Sequence, residues 1–264
     1  MNLTRIEDYA AYKDAVAEAK KSGCKRTNCF FLPDQARNLI ENGRLLMHRT
    51  DGALFLFEDA GSFYRFYYYM DHPNFRLNPD KPVVTEFPFN RELTEEQRMQ
   101  EEILLSMGFT LGRESAMMTA DPAAVSPEEA ADSRIQSARE QDAAQIMQLL
   151  TDNFDPLYAF IPTMEELCAK IAQGSVLVFL SGGEVAGVLN SSQTKRQAVI
   201  DHLAVRDKGM GIGKALVQAF LAKYRESAGQ YCHWVDIHNT PAVELYKRFG
   251  YSFGVKRANE YIIK

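Results

Sequence analysis

Three glycines stand between two lysines at Lys208-Gly209-Met210-Gly211-Ile212-Gly213-Lys214. An apolar run ending Leu203-Ala204-Val205 precedes them, and a helical pattern follows, with Leu216, Val217, Phe220, Leu221 and Tyr224 at three- and four-residue spacing. A strand feeding a glycine-rich turn that opens a helix is suited to holding an anion. Glycine carries no Cβ to keep a ligand from the main chain. The start of a helix presents unpaired N–H groups and a partial positive charge, and the two lysines add full ones. The chemistry this spacing favours is the gripping of a diphosphate; the plainer reading is a solvated turn. A dinucleotide fingerprint needs Gly-x-Gly-x-x-Gly, whereas this loop is Gly-x-Gly-x-Gly. A P-loop needs four residues between its glycines and a Ser or Thr after the lysine, but Ala215 follows Lys214.

Strands and helices must position this loop. In the second half, Arg134–Ala138 reads as a strand, Glu140–Asn153 and Thr163–Ile171 as helices, and Val176–Leu180 with Val185–Asn190 as a hairpin across Gly182-Gly183. After the central strand, the loop and its helix come a strand at Tyr231–His238, a helix at Asn239–Phe249 with Asn239 as N-cap and Pro241 in its first turn, and strands at Ser252–Lys256 and Glu260–Ile263. The first half reads as a helix (Arg5–Lys20), a strand (Cys29–Leu32), a helix (Asp34–Asn42), a hairpin over Asp51-Gly52, strands at Ser62–Met70 and Val83–Phe89, a helix (Glu95–Met107) and a strand (Arg113–Met118). Residues 121–132, DPAAVSPEEAAD, are poor in large apolar groups and mark a linker. The expected organisation is a domain over 1–120, a linker over 121–132 and a domain over 133–264.

With 264 residues, two domains are the natural expectation. A net charge of −5 supplies no basic footprint and argues against a nucleic-acid partner. No apolar run reaches the about 18 residues a membrane span needs, and the polar start MNLTRIEDYAAYK has no secretory core, so no membrane association is expected. Cys24, Cys29, Cys168 and Cys232 offer one close pair, short of a zinc set. They read as reduced thiols, with a cytoplasmic location and no metal expected.

A second motif, Asn239-Thr-Pro-Ala242-Val-Glu-Leu-Tyr246-Lys-Arg-Phe-Gly250-Tyr251, follows the glycine loop after about 25 residues. Together the two resemble the GNAT superfamily of acyl-CoA-dependent N-acyltransferases, over about residues 133–264. The family usually has Arg or Gln where Lys208 stands, and the segment from Val205 to Lys208 is about two residues shorter than usual. The resemblance implies an α/β (α+β) fold with a mixed, mostly antiparallel sheet flanked by helices. It also implies acetyl-CoA as cosubstrate, a primary amine of a small molecule or peptide as acceptor, and a monomer or homodimer. The first half echoes the second in its VTEFPFN strand, its helix into Ser106-Met-Gly-Phe109 and the strand that follows. No glycine loop lies between Tyr69 and Val83, so the expectation is a tandem pair whose first copy does not bind coenzyme A.

In the family frame, Leu203, Ala204 and Val205 present main-chain groups to the pantetheine arm and the acyl oxygen. Lys208 to Lys214 (Lys208, Gly209, Met210, Gly211, Ile212, Gly213, Lys214) hold the diphosphate, and Asn239, Ala242 and Tyr246 line the cofactor. Tyr246 is the candidate acid for the departing thiolate; sharing a stripe with Ala242, Leu245 and Phe249, it reads equally as core. Asp201 has the strand parity of Leu203 and Val205, which would aim it at the acyl chain as base, with His202 facing the other way. Its plainer reading is a solvated strand polar, as it is for Asp236. Phe154, Tyr158 and Phe160 are candidate acceptor-pocket residues or core plugs. A lysine-like amine of pKa about 10.4 must lose roughly 4.6 kcal/mol of protonation free energy at about pH 7, whereas an α-amine needs about 1–1.4. A non-catalytic acyl-CoA-binding module is the alternative.

Overall fold

The computed structural model describes residues 2–73, 75–125, 132–194 and 196–264. The chain divides into two compact units, Met1–Glu114 with Lys256–Lys264, and Ser115–Val255. The cuts fall inside strands. Residues 115–120 belong with the second unit and 256–264 with the first, a division that differs from one placed at 121–132. Residues 126–131 of the expected linker lie outside the described residues.

The first unit runs β1 (Thr4–Arg5), α1 (Tyr9–Lys21), β2 (Arg26–Thr27), α2 (Pro33–Glu41), β3 (Leu45–Thr50), β4 (Ala53–Asp59), β5 (Tyr64–Met70), β6 (Val83–Asn90), α3 (Glu95–Ser106) and the start of β7 (Thr110–Ala120). Its sheet has the order β1-β3-β4-β5-β6 followed by the last strand of the chain, with β2 beside β5. Alternation sorts the side chains. Phe55, Phe57, Phe66 and Tyr68 pack with Leu104 of α3, while Leu54, Leu56 and Tyr69 pack with Tyr12, Leu39 and Ile40 of α1 and α2. A capping box of Thr94 and Gln97 starts α3.

The second unit holds the rest of β7, then β8 (Ile135–Ser137), α4 (Ala143–Asn153), α5 (Met164–Ala172), β9 (Val176–Ser181), β10 (Glu184–Thr194), β11 (Gln197–Val205), α6 (Ile212–Tyr224), β12 (Gln230–Asp236), α7 (Thr240–Lys247) and the first residues of β13 (Ser252–Ile263). Its sheet order is β7-β12-β11-β10-β9-β8. Leu216, Val217 and Phe220 of α6 with Val243 and Tyr246 of α7 cover one face, and Ile146, Leu150 and Leu167 of α4 and α5 the other.

Two element expectations are corrected. Cys29–Leu32 is not a strand; the short strand is Arg26–Thr27, and the turn after it is held by Thr27 Oγ1 accepting from Cys29 N–H at 2.9 Å. The two terminal strands are one, because Lys256 to Ile263 pairs without interruption against Asn90 to Val83 of β6.

Each sheet therefore takes a strand from the other half of the sequence. Expressed alone, residues 133–264 lack the six cross-strand pairs that Ser115–Ala120 makes with β12. That fragment is expected to show no cooperative thermal transition by circular dichroism, whereas the full chain does. A cooperative transition in the fragment would show those pairs to be dispensable.

Candidate functional site

The site begins where two parallel strands part. β11 and β12 pair from Gln197 with Gln230 to Ile200 with His233, and among the described residues their pairing stops there. On its other side β11 stays paired with β10 as far as Val205 with Gly187. The N–H of Arg206 donates to the Ala186 carbonyl at 2.8 Å. Alternation in an antiparallel ladder then turns the main-chain groups of Ala204 and His202 toward β10, and those of Leu203 and Val205 toward the opening. Leu203 and Val205 so line a wedge with N–H and C=O groups, their half-buried side chains packing on the α6 and α7 side.

The wedge runs into the glycine loop. Gly211, at φ 77°, is the N-cap of α6 and offers no side chain to cap it. The amides of Ile212, Gly213 and Lys214 precede the first intrahelical bond, from Ala215 N–H to the Gly211 carbonyl at 3.0 Å. Gly209 (φ 82°) and Gly211 are in the left-handed region, and a Cβ on either would meet nothing within 4 Å. Their need is conformational, and the space beside them is open. Gly213 is an ordinary helical residue, where a Cβ would come 3.6 Å from Leu245 Cδ2. Lys208, Met210 and Lys214 are exposed, and Ile212 is buried in the core. Gly187 on β10 sets how closely the helix start lies on the sheet, since a Cβ there would be 2.5 Å from Ile212 Cγ2.

Tyr246 projects from α7 toward the apex of the wedge. Its ring centroid lies 4.3 Å from that of His233, whose Nδ1 sits 3.0 Å from the Ile200 carbonyl at the last β11–β12 pair. A carbonyl only accepts, so Nδ1 carries the proton. Burial pushes the Tyr246 hydroxyl above the usual phenol range and keeps it protonated. Burial likewise lowers the His233 imidazole to about 4, so it is neutral near pH 7. Asn239 Oδ1 accepts from Ala242 N–H at 3.3 Å, so Asn239 and the half-buried Ala242 build the start of α7.

The parity argument for Asp201 does not hold. Ser191 pairs with Ile200 and Asn190 with His202, leaving Asp201 as the extra residue of a β-bulge. The bulge brings Asp201 and His202 to the same face, toward α4 and α5. Asp201 accepts from Lys170 Nζ of α5 at 2.7 Å and from Ser192 Oγ at 2.9 Å. His202 meets the Phe154 ring edge-on at 5.1 Å, and burial pulls its pKa down. The three aromatics do not form one wall: Phe154 packs on His202, Tyr158 is half-buried in a turn from Asp155, and Phe160 is 61% exposed. Asp236 accepts from His238 N–H at 2.9 Å and so closes a turn before α7. Lys170, Ser192, Asn190 and His233 were not read from the sequence. The histidine is foreshadowed only by its place on the strand before the second motif.

The first unit has a similar parting, filled by its own chain. β5 and β6 pair only at Tyr64 with Val83 and Arg65 with Val84 among the described residues. Beyond them β2 pairs with Met70 and Tyr69. Asn28 donates to the Phe66 carbonyl (3.2 Å), Thr85 Oγ1 (2.8 Å) and the Glu86 carbonyl (3.1 Å), and accepts from Tyr68 N–H (3.0 Å). Among the described residues no helix lies between β5 and β6.

Residues 143–251 match the Acetyltransferase (GNAT) family, and this segment is a domain of that family. A search of curated proteins gives no match. A solved GCN5-related N-acetyltransferase from Sphaerobacter thermophilus is 17% identical with a TM-score of 0.59, over 99% of this chain and 95% of that one. A tandem GNAT protein from the clavulanic acid biosynthesis pathway is 10% identical with a TM-score of 0.56, over 99% and 98%. A GNAT-family acetyltransferase from Colwellia psychrerythraea is 12% identical with a TM-score of 0.53, over 100% of each chain. At these identities the likeness is one of fold, and the chain has the mixed α/β, mostly antiparallel GNAT fold. Among the described residues no helix is long and apolar enough to cross a membrane, and no group of three or more His, Cys, Asp or Glu is placed to hold a metal.

Two stability outcomes follow from this packing. Gly187→Ala crowds the stiff Ile212 side chain and is expected to cost about 1–3 kcal/mol in urea unfolding; an unchanged midpoint would show that α6 lifts freely. His233 is neutral when folded and has a lowered pKa, so the unfolded chain binds its proton first on acidification. Its stabilising contribution is complete above about pH 6.5 and is lost as pH falls toward about 4. The melting temperature should drop across that window, and by less in His233→Gln.

Proposed function

We propose that the second unit is an acetyl-CoA-dependent N-acetyltransferase that delivers an acetyl group to a primary amine of a small molecule or a peptide. The observation that carries this is the wedge of Leu203 and Val205 main-chain groups leading directly into the uncapped start of α6. Leu203, Ala204 and Val205 would bind the pantetheine arm as an added strand binds a sheet edge. One N–H would serve the acyl oxygen as charge grows on it. The amides from Gly209 to Lys214, with the charges of Lys208 and Lys214, suit a diphosphate. Open space beside Gly209 and Gly211 fits that assignment.

Acetyl transfer forms a bond from the amine nitrogen to the acyl carbon and breaks the carbon–sulfur bond. Tyr246, kept protonated by burial, gives its hydroxyl proton to the leaving sulfur and recovers one from solvent. Asp201 takes the proton shed by the amine through water. Asp201 is already ion-paired with Lys170 Nζ at 2.7 Å. The reading therefore favours an acceptor of low pKa, such as an α-amine, which needs only about 1–1.4 kcal/mol to be neutral at about pH 7. Phe154, Tyr158 and Phe160 flank the acceptor side. In the first unit, Asn28 and β2 occupy the strand edge that a pantetheine arm would need, which supports the second unit as the one that binds.

Titration calorimetry with acetyl-CoA tests the premise, and no heat with acetyl-CoA or CoA at millimolar levels removes it. With an amine panel, Tyr246→Phe should lower kcat by about 100-fold or more and leave acetyl-CoA affinity within about twofold. Unchanged turnover at every pH would remove the acid role. Tight binding with no acceptor found would favour a non-catalytic acyl-CoA-binding module.

A further inference from the structure

The first unit carries a cleft of about 420 Å³ between the end of α1 and the turn that joins β3 to β4. Small residues make it. Ala15 and Ala19 stand one turn apart on the face of α1 that packs on the core, and Gly52 opens the facing turn at φ 76°. Longer side chains at these places would close the gap between helix and hairpin. The chain leaves α1 through Gly23, at φ 92°, in a turn closed from Cys24 N–H to the Ala19 carbonyl at 3.0 Å. That return carries the buried Cys24 into the same apolar cluster as Leu54, and with Ala15 and Ala19 they floor the cleft.

The rim is charged, and the signs cross. The helix wall carries Glu18 and Lys21, and the hairpin wall carries Arg49 and Asp51. Arg49 Nη1 donates to Glu18 Oε2, which joins one opposite-sign couple. The second couple, Lys21 and Asp51, is exposed, and among the described residues neither side chain takes part in an ion pair. The four rim charges sum to zero, so a ligand of one sign loses at one position what it gains at the next. An ammonium and a carboxylate on facing walls, above an apolar floor, complement a molecule that has its own carboxylate, ammonium and apolar tail. Small-molecule pockets run from about 300 to 1,000 Å³, and this cleft lies near the small end of that range.

We infer that this cleft is a binding site for a free α-amino acid with an apolar side chain the size of leucine or methionine. The ligand's carboxylate pairs with Lys21, its ammonium with Asp51, and its side chain lies on Ala15, Ala19, Cys24 and Leu54. Each ionic group of the ligand exchanges water for a charged partner, and the apolar tail supplies burial. The site lies wholly in the first unit and does not depend on the acetyl-transfer reading of the second.

Titration calorimetry on the full chain tests this with L-leucine and L-methionine, and with N-acetyl-L-leucine and L-leucinamide as analogues lacking one charge each. Both amino acids should bind saturably at millimolar levels or below, and each analogue about tenfold more weakly or worse. Lys21→Ala and Asp51→Asn, at exposed positions, should each weaken leucine binding by about tenfold and leave the melting temperature unchanged. Ala19→Leu, which fills the cleft with a good helix former, should abolish leucine binding. Acetyl-CoA affinity should be the same in all three variants, which separates this site from any amino acid held as an acetyl acceptor in the second unit. No heat with either amino acid, or an analogue that binds as tightly as leucine, overturns the inference. So does unchanged leucine affinity in Lys21→Ala or Asp51→Asn, whether or not the chain acetylates an amine.

Discussion

A main-chain N–H or carbonyl withdrawn from water must be paired, and the parting of β11 from β12 creates groups for which the sheet has no partner. The pairing ends at Ile200 and His233, and the groups of Leu203 and Val205 point into the gap. Most of the surrounding structure follows from keeping that gap open and in phase. β10 holds β11 from its far side, the bulge at Asp201 absorbs one residue, and Gly187 lets α6 settle so that its amides continue the line of donors. His233 closes the apex by bonding the last paired carbonyl, and Tyr246 packs on its ring.

The first unit meets the same requirement with its own atoms. One side chain, Asn28, satisfies groups on both parted strands, and Thr85 Oγ1 adds a bond to the Phe66 carbonyl at 2.8 Å. A strand edge supplied this way has nothing left to offer an extended ligand. The first unit thus differs from the second in two ways that go together: it has no glycine loop between Tyr69 and Val83, and its parting is filled by Asn28.

Much of this was legible in the sequence because the signals were local. Gly52, Gly182 and Gly183 mark turns that need positive φ, and the spacing of Leu216 to Tyr224 marks a helix whose start must follow the glycines. What was not legible depends on a neighbouring strand. A period-two argument assumes unbroken register, and the bulge at Asp201 exists only relative to β10, so Asp201 was assigned to the wrong face. The continuity of β13 across Arg257 to Asn259 comes from its pairing with β6, far away in sequence. Asn190 ends an apolar run and reads as a strand terminus; its complete burial is decided by the helices laid over it.

The exchange of strands also sets an order of events during synthesis. Domains ordinarily fold as they emerge from the ribosome, the N-terminal one first. Here the sheet of the first unit is completed by residues 256–264, which emerge only after the whole of the second unit. Until then Val83–Asn90 has an unfilled edge that must be kept from pairing with a neighbouring nascent chain. The first unit is thus finished only after the second has been made.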